Sequence, residues 1–182
     1  PIEDYDLYAL RNQIGIVSQE PILISESIED NIRYGKPNAS FEEVATAAKL
    51  AYAYDFVSDF PKGFQTLVGE KGVQLSGGQK QRTGIARALI KKPEILLFDD
   101  SLSAVDTKTE EAILNYIKSD LNSTTTIIIS HRISSIQECD KIVVIENGKI
   151  NEQGTHNELI TQKGDYYAMY KRQILEKELS KL

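Results

Sequence analysis

Residues 75–100 read LSGGQKQRTGIARALIKKPEILLFDD, a capped helix that runs into an apolar strand and then into two acids. Ser76 followed three residues later by Gln79 forms a capping box, in which each side chain satisfies the other residue's free backbone N–H at a helix start. Behind it, Ile85, Ala86, Leu89 and Ile90 fall on one stripe of a 3.6-residue period, which gives the helix a core face. Lys91 and Lys92 stand at its negative end, and Pro93 stops it. Glu94-Ile95-Leu96-Leu97-Phe98 is too apolar for an exposed edge and is expected to form a strand buried on both faces, ending in Asp99-Asp100.

Short apolar strands and capped helices alternate on both sides of this stretch, which predicts an α/β sheet. Upstream, Ile14 to Val17 is a strand, Ser18 to Ser27 a loop, and Ser40 with Glu43 a capping box opening a helix through Leu50. Tyr52 to Phe60 is expected to be a further helix, closed by Pro61 and Gly63. Downstream, Thr107 with Glu110 is expected to cap a helix to about Leu121, and the β-branched run Thr124 to Ser130 leads into His131. Lys141 to Glu146 turns at Asn147-Gly148, a strong hairpin signal, and returns through Lys149 to Glu152. Thr155 with Glu158 opens one more helix before a charged helix from about Asp165.

The 182 residues carry 21 Lys+Arg against 27 Asp+Glu, a formal charge of −6, with 41% hydrophobic and 26% charged residues. That balance excludes disordered, collagen-like and mucin-like chains, and its acidity argues against a nucleic-acid partner. Cys139 is the single cysteine, so no disulfide forms within the chain, and no Cys/His cluster has metal-ligand spacing. Apolar runs such as Ile95–Phe98 fall far short of the ~20 residues of a membrane-spanning helix.

Two strands thus end in polar residues. Ligands of open α/β sheets bind beyond the carboxyl ends of the strands, so Asp99, Asp100 and His131 mark a candidate site. A strand-end carboxylate can hold Mg²⁺ against β- and γ-phosphates while a neighbouring acid orients a water; alone, Asp-Asp is equally a solvated turn. The helix start at Ser76-Gly77-Gly78 offers free N–H groups and glycines that let an anion approach, although Ser and Gln also serve there simply as caps. A lone His131 after a strand is equally a structural residue.

Taken in order, Gln19, Leu75-Ser76-Gly77-Gly78-Gln79, Ile95-Leu96-Leu97-Phe98-Asp99, Ser103-Ala104-Val105-Asp106 and His131 resemble the nucleotide-binding domain of ABC transporters over essentially the whole chain. The resemblance implies the α/β fold of the P-loop NTPases, with a helical subdomain at about residues 22–92 and a Walker B, D-loop and switch-histidine part at about 93–182. It implies ATP and Mg²⁺ as ligands. Gln19 matches the Q-loop glutamine at the metal, Asp99 the Walker B magnesium aspartate, Asp100 the position of the catalytic base and His131 the switch histidine. Ser76, Gly77, Gly78 and Gln79 match the signature that closes over ATP held by a second cassette, and Ser103 to Asp106 match the D-loop. Val68-Gly69-Glu70-Lys71-Gly72 resembles the X-loop of exporters, which contacts their coupling helices. His156, in Gly154-Thr155-His156, is expected to open a structural helix.

Two departures shape the expectation. No Gly-x-x-x-x-Gly-Lys-Ser/Thr phosphate cradle is present, since Gly35-Lys36 and Gly148-Lys149 are followed by Pro37 and Ile150. The family's cradle lies upstream of the Q-loop, so the chain, which opens at Pro1, is expected to be the C-terminal portion of a cassette. A transmembrane domain is expected before it in the parent protein at the cytoplasmic face of a membrane, and the polypeptide alone is expected to be inactive. The second departure is Asp100, where most members have Glu; this resembles the slowly hydrolysing subunit of heterodimeric exporters. Against a soluble repair or chromosome ATPase, the stretch from Gln19 to Leu75 leaves no room for a long coiled coil.

Overall fold

Three strands form a parallel sheet in the order β1 (Ile14–Val17), β2 (Ile95–Asp99), β3 (Thr125–Ile129), with Ile16 opposite Leu97 and Leu97 opposite Ile127. The computed structural model describes residues 2–69, 72–120 and 123–179 and divides the chain into two compact units, Pro1–Ile129 and Ser130–Leu182. Parallel strands need long crossovers. Here β2 reaches β3 through α6 (Thr107–Asp120), and β1 reaches β2 through a run of helices.

A short helix, α1 (Leu7–Asn12), precedes β1 and was not expected; Asp6 caps it by accepting the Ala9 N–H at 2.8 Å. Ser27 opens α2 (Ile28–Arg33) in the same way, accepting the Asp30 N–H. The Ser40–Glu43 capping box opens α3 (Phe41–Leu50) as the spacing requires. Tyr52, at φ 54°, then takes the left-handed conformation, so α4 (Tyr54–Ser58) starts later than expected, and it also ends earlier, at Ser58. The Ser76–Gln79 box opens α5 (Gly77–Leu89), whose Ile85, Ala86 and Leu89 are buried together with Ile90.

The core lies between these helices and one face of the sheet, where Val17, Leu96 and Phe98 meet Ile28, Ile32, Val44 and Ile85. Ile113 and Ile117 of α6 join it. The expectation that β2 is buried on both faces is corrected here: Leu96 and Phe98 are buried, but Ile95 and Leu97 are only half-buried. Their neighbours on the same face, Ile16, Ile127 and Ile129, are 59%, 49% and 52% exposed, so the described residues leave that apolar face largely open.

Lys91 stands just past the C-cap of α5, at its carboxyl end as expected, and its Nζ also donates to the carbonyls of Arg11 and Ile14, at 2.9 and 2.8 Å, which ties the end of α5 to the start of β1. One end-of-helix expectation is corrected. The cap of α6 is Asp106, whose Oδ1 accepts the Thr109 N–H at 3.0 Å, whereas Glu110 is buried. Leu121, the expected end of α6, lies outside the described residues.

In the second unit, α7 (Ile133–Ile136) precedes an antiparallel hairpin of β4 (Ile142–Glu146) and β5 (Lys149–Gly154). Asn147 and Gly148, at φ 50° and 74°, both occupy the left-handed region that a two-residue hairpin turn demands. A Thr155–Glu158 capping box opens α8 (His156–Gln162), and α9 (Asp165–Leu179) follows. The Glu152 carboxylate accepts the N–H groups of Asp165 and Tyr166 and so caps α9. Ile133, Ile142, Leu159 and Tyr166 form this unit's core. His156 Nδ1 lies 2.7 Å from the Tyr166 hydroxyl, and burial pushes the Tyr166 phenol up to about 12. No described helix is long and apolar enough to cross a membrane.

Candidate functional site

Neighbouring parallel strands deliver their C-terminal residues to one edge of the sheet. Gln19 follows β1 and Asp100 follows β2, and the two side chains meet there: Gln19 Nε2 donates to Asp100 Oδ2 at 3.2 Å. Asp99 closes β2, is exposed, and shares a face with Leu97 because strand residues alternate. Asp100 sits at φ 45°, a left-handed turn that lifts the chain out of the strand, while its N–H still donates to the Ile129 carbonyl at 2.8 Å.

The turn after Asp100 folds back on itself. Ser103 Oγ donates to the Asp100 carbonyl at 2.8 Å, and Asp106 ends the turn as the cap of α6. Hydrogen bonds from Thr109, with a smaller contribution from the Arg82 charge, hold the Asp106 carboxyl below its ordinary range. Gly78, on the first turn of α5, faces this segment so closely that a Cβ there would stand 3.0 Å from the Ala104 carbonyl oxygen.

At the start of α5 the side chains of Ser76 and Gln79 bond to each other's backbone N–H, at 3.3 Å and 2.9 Å. The first residues of a helix have no intrahelical acceptor for their N–H groups, which leaves the Gly77 and Gly78 amides as the outward donors. Gly77 faces open space. Gln19, Asp99, Asp100, Ser103, Asp106 and the Ser76–Gln79 helix start therefore all belong to the first unit, linked by the contacts above.

His131 belongs to the second unit. It follows β3 by two residues and is exposed; its carbonyl accepts Gln173 Nε2 at 2.7 Å. In the Val68–Gly72 segment, Val68 bridges to Val73 and Gly69 adopts φ 98°, while Glu70 and Lys71 lie outside the described residues. A cavity of about 540 Å³ bordered by Leu50, Leu89, Pro93 and Tyr116 contains none of the candidate residues.

Two further residues support the arrangement. Gln81, 1% exposed, donates from Nε2 to the Ser18 carbonyl at 3.1 Å, immediately before Gln19. Arg87 donates to the Ile22 carbonyl at 2.8 Å, to the Asn31 carbonyl at 2.7 Å and to Asn31 Oδ1 at 2.8 Å, and burial lowers its pKa. Together they fasten α5 to the segment that carries Gln19. Gln81 was detectable: it stands four residues before Ile85, a polar side chain on an otherwise apolar stripe.

A family model described as "ABC transporter" matches residues 1–103. The chain is 50% identical over 169 residues to ABC transporter B family member 4 of Dictyostelium discoideum, covering 93% of this chain and 22% of that protein. It is 50% identical over 175 residues to multidrug resistance protein 1 of Entamoeba histolytica, covering 94% of this chain and 13% of that protein. Among solved structures, a bacterial Atm1-family ABC exporter with ATP bound matches with a TM-score of 0.87 and 46% identity, over 92% of this chain and 30% of its own. The chain thus spans less than a third of each of these relatives, and with the family model matching more than half of its length it belongs to the ABC transporter family, as an exporter-type nucleotide-binding domain segment.

Proposed function

We propose that the chain is part of the ATP-hydrolysing cassette of an exporter, working at the cytoplasmic face of a membrane against a second cassette, with a transmembrane domain upstream in the parent protein. The observation that carries this reading is the Gln19–Asp100 contact at the carboxyl edge of the sheet, beside Asp99. In the proposed reaction a water oxygen attacks the γ-phosphorus, the bridging P–O bond to ADP breaks, and Asp100 accepts the water's proton. The Gln19 amide donates to Asp100, which fixes the carboxylate and leaves the amide oxygen for a cation.

The donor set suits Mg²⁺. Among the described residues no three His, Cys, Asp or Glu side chains cluster as a cage, and Mg²⁺ characteristically uses one or two carboxylates together with substrate phosphates. Asp99, with the Gln19 amide oxygen, would hold it. When bound it supplies charge neutralisation at the β- and γ-phosphates. His131 is assigned to the γ-phosphate. Ser76, Gly77, Gly78 and Gln79 are assigned to ATP held by the partner cassette, with Ser103 and Asp106 shaping the D-loop between the two sites. The part spanning about residues 22–92 acts as the helical arm presenting the signature, and residues 93–182 carry the acids and the histidine. Without the Gly-rich phosphate cradle and its lysine, the 182-residue polypeptide alone neither binds MgATP tightly nor hydrolyses it.

A second reading rests on Asp100 itself, whose side chain is one methylene shorter than Glu: a degenerate site that mainly holds a heterodimer together. Steady-state ATP turnover of the intact transporter separates the two. On the first reading Asp100→Asn lowers turnover by about 10² or more, since a base misplaced by about 1 Å already costs that much. Unchanged turnover overturns it. A rise of about tenfold on Asp100→Glu favours the second reading.

A further inference from the structure

From the C-terminal helix α9, the Gln173 side chain reaches the histidine loop. Gln173 uses both ends of its amide there: Nε2 donates to the His131 carbonyl at 2.7 Å, and Oε1 accepts the Ile133 N–H at 2.9 Å. These two bonds bracket the peptide units on either side of Arg132. The Ser130 hydroxyl also accepts the Arg132 N–H at 2.9 Å, so three successive backbone positions after β3 are held. Ile133 is the first residue of α7, and Arg132 makes no side-chain cap there, so the Gln173 oxygen takes over the cap of that helix. The far end of the lever is equally fixed. Glu152 caps the start of α9, and Tyr166 on its first turn is buried in the unit's core against Leu159.

The geometry points to Gln173 as a positioning residue: its bidentate amide sets the backbone of the His131 loop, and through it the direction from which the imidazole meets the γ-phosphate. This rests on the reading of His131 given above. An amide is needed for the task, because one atom must donate and the other accept. A glutamate of the same shape could still accept from Ile133 but would set a carboxylate oxygen against the His131 carbonyl, and methionine would do neither.

The test uses the intact transporter, comparing the native protein with Gln173→Met, Gln173→Glu and His131→Ala by steady-state ATP turnover and thermal unfolding. The expected result is a fall in kcat of about tenfold in both Gln173 variants, on the scale that small misplacements produce, with KM for ATP within about twofold. The unfolding midpoint of Gln173→Glu should stay near native, which a role confined to stability would not give. If kcat in Gln173→Glu is native while His131→Ala abolishes turnover, the positioning role is overturned and the assignment of His131 stands. If His131→Ala itself turns over normally, it is the assignment of His131 that fails. Should Gln173→Met misfold, Gln173→Glu alone decides.

Discussion

Asp100 shows how one residue answers two demands. Its φ of 45° lies in the left-handed region, where Asp and Asn are several-fold enriched over other non-glycine residues because a short polar side chain fits beside its own backbone. A several-fold preference corresponds to about 1 kcal/mol, so the backbone alone gives a reason for aspartate at this place, independent of any handicap to catalysis. Asp100→Glu is expected to lower the unfolding midpoint by about 2–4 °C, and Asp100→Asn to leave it unmoved, as scanning calorimetry would register. Equal midpoints for the two variants would show that the turn does not select the residue. Caps were readable at this scale where a single box fitted, as at Ser40–Glu43, Ser76–Gln79 and Thr155–Glu158. At α6 the Thr107–Glu110 spacing pointed to the wrong cap. The burial of Glu110, a tertiary fact, went with Asp106 as the cap.

Helix α5 is the element through which the site is assembled. Its first turn abuts the Ser103–Asp106 segment, Gln81 holds Ser18, and Arg87 holds Ile22 and Asn31. Asn31 is fully buried, and although its Oδ1 still accepts the Ile24 N–H, removing the guanidinium takes the donor from its backbone carbonyl. Arg87→Ala should therefore destabilise the first unit by about 3 kcal/mol, and Arg87→Lys should recover less than half of that, because a point charge cannot span the forked set of acceptors. Urea unfolding of the two variants checks this, and full recovery by lysine would refute the role of the forked donors. Sequence periodicity placed α5 and its core stripe correctly, but hydrogen bonds to residues over sixty positions away carry no local signal. The short helices α1 and α7, of six and four residues, escaped for a related reason: they are too brief to display a period.

At the scale of the whole chain, composition and alternation announced an α/β sheet, and the parallel order β1-β2-β3 agrees. What alternation could not tell is how many layers cover that sheet. A run such as Ile95–Phe98 is equally apolar whether its second face is packed or open, because a sequence records what a face is made of and not what lies on it. Exposed apolar patches of this kind favour association. The 182-residue polypeptide is expected to bind an environment-sensitive dye and to sediment as more than a monomer. The double substitution Ile16→Lys with Ile127→Glu, on the two strands flanking β2 and on the open side to either side of Leu97, should abolish both effects while leaving the circular dichroism spectrum unchanged. Dye binding that survives the substitution would place the adhesive surface elsewhere.

The open side of the sheet also makes dilution an experimental variable. Each copy that shelters Ile16, Ile127 and Ile129 against another draws the folding equilibrium toward the native state by mass action. Melting temperatures recorded at high protein concentration then belong to the cluster rather than to the monomer, and a titration begun from a concentrated stock changes the degree of association before any nucleotide is added.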